Sequence, residues 1–85
     1  MEVLDATATA AVLPWEDMTQ ELIRAAHRLA DGAICAPERA VLEIPGGRYL
    51  VMPAADDRVA ITKLVTVHTG NPAAQRPAIQ GIVSI

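Results

Sequence analysis

The order of apolar and polar positions divides the chain into a helical first part and a strand-rich second part. In residues 14–32, Met18, Leu22 and Leu29 recur at helical spacing on one side of an otherwise polar segment. Acidic residues open this segment and Asp31-Gly32 close it, as is typical of a helix that begins and ends there. This pattern predicts the principal helix of the chain.

A shorter helix is predicted ahead of it. Asp5 or Thr7 can cap an alanine-rich run, and Pro14 fits the first position of the second helix. The apolar residues 1–5 indicate a short edge strand before both helices.

The second part alternates between β-prone runs and turn residues. Residues 39–44 and 48–53 flank a Pro-Gly-Gly turn and predict a hairpin with a bulged loop. A strand over 59–68 and another over 78–85 follow, separated by the Gly/Pro/Asn loop 69–77. We therefore predict an α+β fold, with an N-terminal strand and two helices packed on a mainly antiparallel sheet.

Lys63 interrupts the apolar alternation of the 59–68 strand. Val59, Ile61, Val65 and Val67 share one face, and Lys63 falls on that same face. It is an edge-strand gatekeeper, or a lysine that extends its amine to solvent, or an ammonium that lines a pocket, is desolvated there and requires an anion.

Arg39 also has two interpretations. It is either a solvated arginine paired with Glu38 or Glu43, or a guanidinium that holds a substrate carboxylate by two-point contact. With Lys63 it would form a carboxylate clamp, for which Glu43 is a candidate balancing charge.

The other polar residues are weaker candidates for a functional site. His68, beside a Gly-Asn-Pro turn, is predicted to be a turn or surface residue, and Asp56-Asp57 a turn. The two histidines, His27 and His68, show no metal-ligand spacing with Cys35 or with any carboxylate pair.

Composition bounds the function further. The 85 residues are 52% hydrophobic, carry a formal net charge of -3 and contain one Cys, which indicates one small globular domain without disulfides. No basic cluster suits nucleic acid, no apolar run approaches a membrane span, and no signal peptide opens the chain, so we expect a cytoplasmic protein. The apolar ending at Ile85 suggests a fragment of a longer protein.

Several motifs together resemble one known family. The "PER" that contains Arg39, the "MPA" after residue 51, "TKLVTVHTGNP" and "PAIQG" are similar to the N-terminal part of the ornithine cyclodeaminase/mu-crystallin family. The resemblance covers essentially the whole chain. It implies a two-domain NAD(P)-dependent oxidoreductase that acts on amino-acid imines, with a substrate-binding domain that forms a homodimer through its sheet and a separate Rossmann domain.

The resemblance also assigns roles to three residues. Arg39 matches the arginine that holds the substrate carboxylate, Lys63 the lysine beside that carboxylate and the reacting centre, and Met52 a methionine of the same pocket. Ornithine-cyclising members carry a glutamate where this chain has Leu50, which favours a cyclic imine or a small keto acid. A further arginine and the catalytic aspartate of the family would lie outside this chain.

The sequence thus predicts residues 1–85 to be a partial substrate-binding and dimerisation domain. A dinucleotide site needs a strand, a glycine-rich turn and a helix, and this chain lacks that pattern. We expect the intact protein to reduce cyclic 2-imino acids such as pyrroline-2-carboxylate, or to convert ornithine to proline, and the 85 residues alone to be inactive. The alternative is a non-enzymatic α+β module that dimerises or binds a small carboxylate.

Overall fold

A computed structural model describes all residues from Met1 to Ile85, which form two compact units, Met1–Gly32 and Ala33–Ile85. The first unit is helical, and the second is a four-stranded sheet. Two helices followed by an antiparallel sheet confirm the predicted α+β class. That the helices pack on the sheet stays a prediction.

The first unit contains α1, Ala6–Ala11, and α2, Trp15–Ala30. Asp5 caps α1, because its carboxylate accepts a hydrogen bond of 2.8 Å from the backbone N–H of Ala8. Pro14 occupies the N-cap position of α2 rather than its first helical position. Neither helix combines the length and the apolar character needed to cross a membrane.

The edge strand predicted at residues 1–5 is wrong. These residues have no strand partner, and the last of them serves as the cap of α1. Apolar character alone does not make a strand, since the backbone N–H and C=O groups of a strand need a neighbour with which to pair.

The second unit is a sheet in which every neighbouring pair of strands is antiparallel and consecutive in the chain. Its order is β1-β2-β3-β4. The strands span Ala40–Ile44, Gly47–Ala55, Ala60–His68 and Ile79–Ser84. A sheet of this kind needs only short connections, which explains why the turn residues predicted the strands well.

Two residues, Pro45 and Gly46, connect β1 to β2, because Ile44 pairs directly with Gly47. Gly46 has φ +77°, as the second central residue of a type II turn requires, and proline suits the first. The bulged loop predicted here is therefore wrong. The glycine adopts the left-handed conformation without an inserted residue.

Local hydrogen bonds stabilise the other two connections between strands. The Asp56 carboxylate accepts from the backbone N–H groups of Arg58 and Val59 at 2.8 and 2.9 Å, which confirms the predicted turn. Between β3 and β4, Asn71–Ala74 form a single 3₁₀ turn, and the Asn71 side chain donates to the Pro77 carbonyl at 3.0 Å.

Strand pairing sorts the side chains of the sheet onto two faces. Because Lys63 is paired with Met52 and with Val83, these three residues share a face, which we call the Lys63 face. The opposite face carries Leu64, paired with Val51 and Ile82. No residue of the chain is fully buried. Both faces are thus partly open, as expected for so short a chain.

The β1–β2 connection yields a test of this geometry. A Cβ at Gly47 would overlap the carbonyl oxygen of Val67, whereas a Cβ at Gly70, where φ is -81°, would meet no atom within 4 Å. We expect Gly46→Ala to lower the free energy of unfolding by about 1 kcal/mol through its positive φ, and Gly47→Ala by about 2 kcal/mol through overlap.

The matched control is Gly70→Ala, which should change stability by no more than about 0.5 kcal/mol. Urea unfolding followed by circular dichroism measures all three. Equal effects at the three positions would contradict the turn and register described here.

Candidate functional site

The hydrogen-bonded ladder between β2 and its outer neighbour is interrupted. Cys35 and Ala55 exchange two backbone hydrogen bonds of 2.8 and 2.9 Å, and pairing resumes at Ala40 and Val51. Between these anchored pairs, residues 36–39 lie opposite residues 52–54, so the outer segment has one residue more than β2. Such an extra residue bends the chain out of the ladder and redirects its side chains.

Pro53 lies at this interruption, inside a nine-residue strand. Backbone polar groups alternate between the two edges of an antiparallel strand. Since Ala55 directs its N–H and C=O toward Cys35, Pro53, two residues earlier, faces the same edge. A proline has no N–H to donate, and the interrupted ladder offers no acceptor there. The proline and the interruption therefore fit each other.

An open cavity of about 510 Å³ lies at the interruption, on the Lys63 face. The three residues that the sequence assigned to a substrate site, Arg39, Met52 and Lys63, all line it. Arg39 comes from the interrupting segment, Met52 from β2 and Lys63 from β3. The cavity is also lined by Ala36, Pro37, Glu38, Pro53, Ala54, Ile61 and Val83.

Strand register explains why two of these residues meet. Lys63 is the direct cross-strand partner of Met52 on one side and of Val83 on the other. Directly opposed side chains on one face of an antiparallel pair lie within contact distance of each other. The cation therefore stands between two apolar side chains, with Ile61 two residues before it on the same face.

Both cations of the cavity are free to meet a ligand. The side chains of Arg39 and Lys63 are exposed, and neither forms an ion pair or a hydrogen bond within the chain. Lys63 lines a cavity, as predicted, but its predicted desolvation is wrong. An exposed ammonium stays hydrated, so the fold does not require a bound anion, although two cations that line one cavity would favour one.

Glu43 does not balance these charges. Its Oε1 forms an ion pair with Nε of Arg48 at 3.1 Å, because Glu43 and Arg48 are cross-strand partners next to the β1–β2 turn. The alternative in which Arg39 pairs with Glu43 is therefore wrong. Arg39 directly precedes the first residue of β1, at the end of that strand away from the turn.

Two other residues that the sequence singles out do not line the cavity. His68 ends β3, where its backbone N–H donates to the Ala78 carbonyl at 2.8 Å, and it does not line the cavity. Leu50 shares the Lys63 face but is absent from the lining. No group of three or more His, Cys, Asp or Glu residues is arranged to hold a metal ion.

Glu38 is a cavity residue that the sequence predicts only as a partner for Arg39. The signal that could have placed it in the site is Pro53, whose position inside a strand indicates an interruption of the neighbouring ladder.

The sheet does not fit a dinucleotide. All its strand pairs are antiparallel, and no α-helix connects one strand to the next. The strand, glycine-rich turn and helix that hold a pyrophosphate therefore have no counterpart in residues 1–85.

The Glu43–Arg48 ion pair gives a direct test of the charge assignment. We expect a double-mutant cycle of Glu43→Gln with Arg48→Gln to give a coupling energy of about 0.5 kcal/mol in the free energy of unfolding, reduced by salt, because both side chains are exposed.

The matched cycle pairs Glu43→Gln with Arg39→Gln and should give no coupling. A larger coupling energy in that second cycle would contradict this assignment, because it would show that Glu43 interacts with Arg39. Urea unfolding at low and high salt measures the coupling energy of both cycles.

Three curated bacterial proteins are similar to nearly the whole chain. Delta(1)-pyrroline-2-carboxylate reductase 1 of Burkholderia multivorans is 42% identical over 82 residues, which are 95% of this chain and 26% of that protein. Delta(1)-pyrroline-2-carboxylate reductase 2 of Burkholderia ambifaria is 38% identical over 94% of this chain and 26% of its own length. A Delta(1)-pyrroline-2-carboxylate/Delta(1)-piperideine-2-carboxylate reductase of Azospirillum brasilense is 40% identical over 96% and 27%. The chain thus spans about a quarter of these relatives.

A solved structure shares the fold. An archaeal alanine dehydrogenase, a dimer with bound NAD, superposes with a TM-score of 0.83 over 87% of this chain and 23% of its own. At 24% identity, this likeness shows the fold alone.

No family model matches the chain. The resemblance predicted from the sequence motifs is nevertheless confirmed by the curated relatives, since residues 1–85 are similar to a part of each of these three reductases.

Proposed function

We propose that these residues are the N-terminal, substrate-binding part of an NAD(P)-dependent reductase of cyclic 2-imino acids such as Δ1-pyrroline-2-carboxylate. One observation carries the proposal. Arg39, Met52 and Lys63, which the sequence motifs assign to a substrate site, line a single cavity although they come from three different segments. The names of the curated relatives support the same substrate class.

In this proposal Arg39 and Lys63 hold the substrate carboxylate. A guanidinium presents two parallel N–H donors to a carboxylate, and an ammonium adds a point charge. In a cyclic 2-imino acid the imine carbon carries the carboxylate, so the two cations also position the reacting carbon. Lys63, the closer to the reacting centre by family resemblance, would also assist electrostatically as the charge there changes.

The rest of the cavity suits a small apolar ring. Met52, Ile61 and Val83 surround Lys63 with aliphatic and thioether groups, which favour the ring methylenes of a five- or six-membered imine. Leu50 offers no charge to a distant amine. We therefore propose a cyclic imine, or a small keto acid, rather than ornithine.

The nicotinamide cofactor would bind to a separate domain of the longer protein. The archaeal neighbour is a dehydrogenase with bound NAD, and this chain supplies no dinucleotide site. Residues 1–85 would thus form a partial substrate-binding and dimerisation domain. We place the protein in the cytoplasm, in keeping with its single free thiol, Cys35.

We also propose that the protein forms a homodimer through its sheet. The face opposite Lys63 carries exposed apolar side chains, with Ile82 64% and Leu42 47% exposed. Burial of such side chains between two copies would supply part of the core that this short chain lacks.

The activity is tested in the full-length reductase that contains these residues. We expect NAD(P)H oxidation with Δ1-pyrroline-2-carboxylate, which is measured as the loss of reduced-nicotinamide absorbance. Lys63→Ala should lower kcat/KM about 10²–10³-fold, because it removes a group that both binds the carboxylate and stabilises charge at the reacting centre. Arg39→Gln should mainly raise KM.

The matched control is Arg48→Gln, which removes an exposed cation of the same sheet outside the cavity. It should leave kcat/KM nearly unchanged. Wild-type kinetics for Lys63→Ala would refute the site. A full-length protein that binds the substrate without oxidising NAD(P)H would instead favour the carboxylate-binding module.

The dimer is tested by Ile82→Lys, which places a charge on the proposed interface. We expect the dimer dissociation constant to rise about tenfold or more, since the loss of one buried aliphatic side chain costs about 1.5–3 kcal/mol. Gln80→Lys, two residues earlier on the same face of β4, is the control and should have a much smaller effect. Sedimentation equilibrium measures the dimer dissociation constant of both variants. An unchanged constant for Ile82→Lys would exclude this face as the dimer interface.

A further inference from the structure

The cavity contains one carboxylate beside its two cations. Glu38 directly precedes Arg39, and both line the cavity. Like the two cations, Glu38 is exposed and forms no ion pair within the chain. Two positive groups and one negative group therefore surround the same space without neutralising one another.

The interrupted ladder accounts for this arrangement. Consecutive residues of a regular strand project to opposite faces, so Glu38 and Arg39 would normally lie on different sides of the sheet. The additional residue of the 36–39 segment, located between the Cys35–Ala55 and Ala40–Val51 pairs, breaks that alternation. Two neighbouring residues of opposite charge can then line one cavity.

We propose that Glu38 determines specificity by selecting ligands that carry a positive charge on the ring nitrogen beside the carboxylate. This inference rests on the proposed carboxylate site and adds to it. A ring that carries both a carboxylate and a protonated nitrogen satisfies charges of both signs in the cavity. A simple anion of the same size meets attraction from Arg39 and Lys63 but repulsion from Glu38.

Two stable probes isolate this effect. Proline and cyclopentanecarboxylate have the same ring size and the same carboxylate, and they differ in the charged ring nitrogen. The full-length reductase that contains these residues is labelled with ¹⁵N and titrated with each probe at neutral pH and low salt, and the amide signals of Met52, Lys63 and Val83 report occupancy of the cavity.

We expect wild-type chain to bind proline more tightly than cyclopentanecarboxylate. Glu38→Gln keeps the shape of the side chain and removes its charge, so the affinity ratio should fall about fivefold, with proline weakened and cyclopentanecarboxylate strengthened. Glu43→Gln removes a carboxylate of the same sheet that does not line this cavity, and it should leave the ratio unchanged.

The outcomes separate the two proposals. Binding of both probes with an unchanged ratio in Glu38→Gln overturns the role of Glu38 and leaves the carboxylate site intact. Absence of saturable shifts with either probe overturns the carboxylate site in this chain, and the role of Glu38 with it. Equal ratio changes in Glu38→Gln and Glu43→Gln indicate a long-range charge effect and likewise overturn the specific role.

Discussion

The interruption of the hydrogen-bonded ladder between Cys35 and Ala40 is the constraint on which the candidate site depends. A continuous β1 would have paired residues 36–39 with β2, so that their side chains alternated between the two faces and no cavity opened. Pro53, which has no N–H, makes that pairing incomplete and is located where the ladder is broken. The interruption, which removes one or two backbone hydrogen bonds from the ladder, thus determines which charged groups line the same cavity.

Antiparallel register supplies the other half of the site. Because Lys63 is opposed by Met52 and Val83, it has an apolar neighbour on each side whose place is fixed by pairing along β2 and β4. A shift of one residue in either pair would move Lys63 relative to the cavity and would turn the side chains of one strand to the opposite face. The residues that stabilise the register are therefore the same residues that shape the cavity. Both faces are partly open and no side chain of the chain is fully buried, so burial within these 85 residues contributes little to stability.

Local patterns in the sequence predict most of the sheet, because its strands are consecutive and their turns have distinct chemistry. The alternation around Lys63, the carboxylate of Asp56 in its turn and the cap at Asp5 all follow from residues close together in the chain. The failures concern pairing between distant residues. The strand predicted at residues 1–5 has no partner, and the extra residue lies in the 36–39 segment instead of the Pro-Gly-Gly turn. The pattern alone does not place Arg39, Met52 and Lys63 in one site, because they lie far apart along the chain, and their joint prediction depends on motif resemblance.

An antiparallel sheet of this kind would suit the substrate-binding part of the proposed reductase. Its short connections place side chains densely on a face, which allows two cations and a carboxylate to surround a small acid. The same short connections leave no room for the helix whose N-terminus a pyrophosphate requires. A reaction that needs both a positioned carboxylate and a dinucleotide therefore favours two structurally distinct parts, with the substrate carboxylate held by the sheet and the cofactor by another domain. In the proposed reaction the reacting carbon would lie at their boundary, where Arg39 and Lys63 would contribute more by fixing its orientation than by adding affinity.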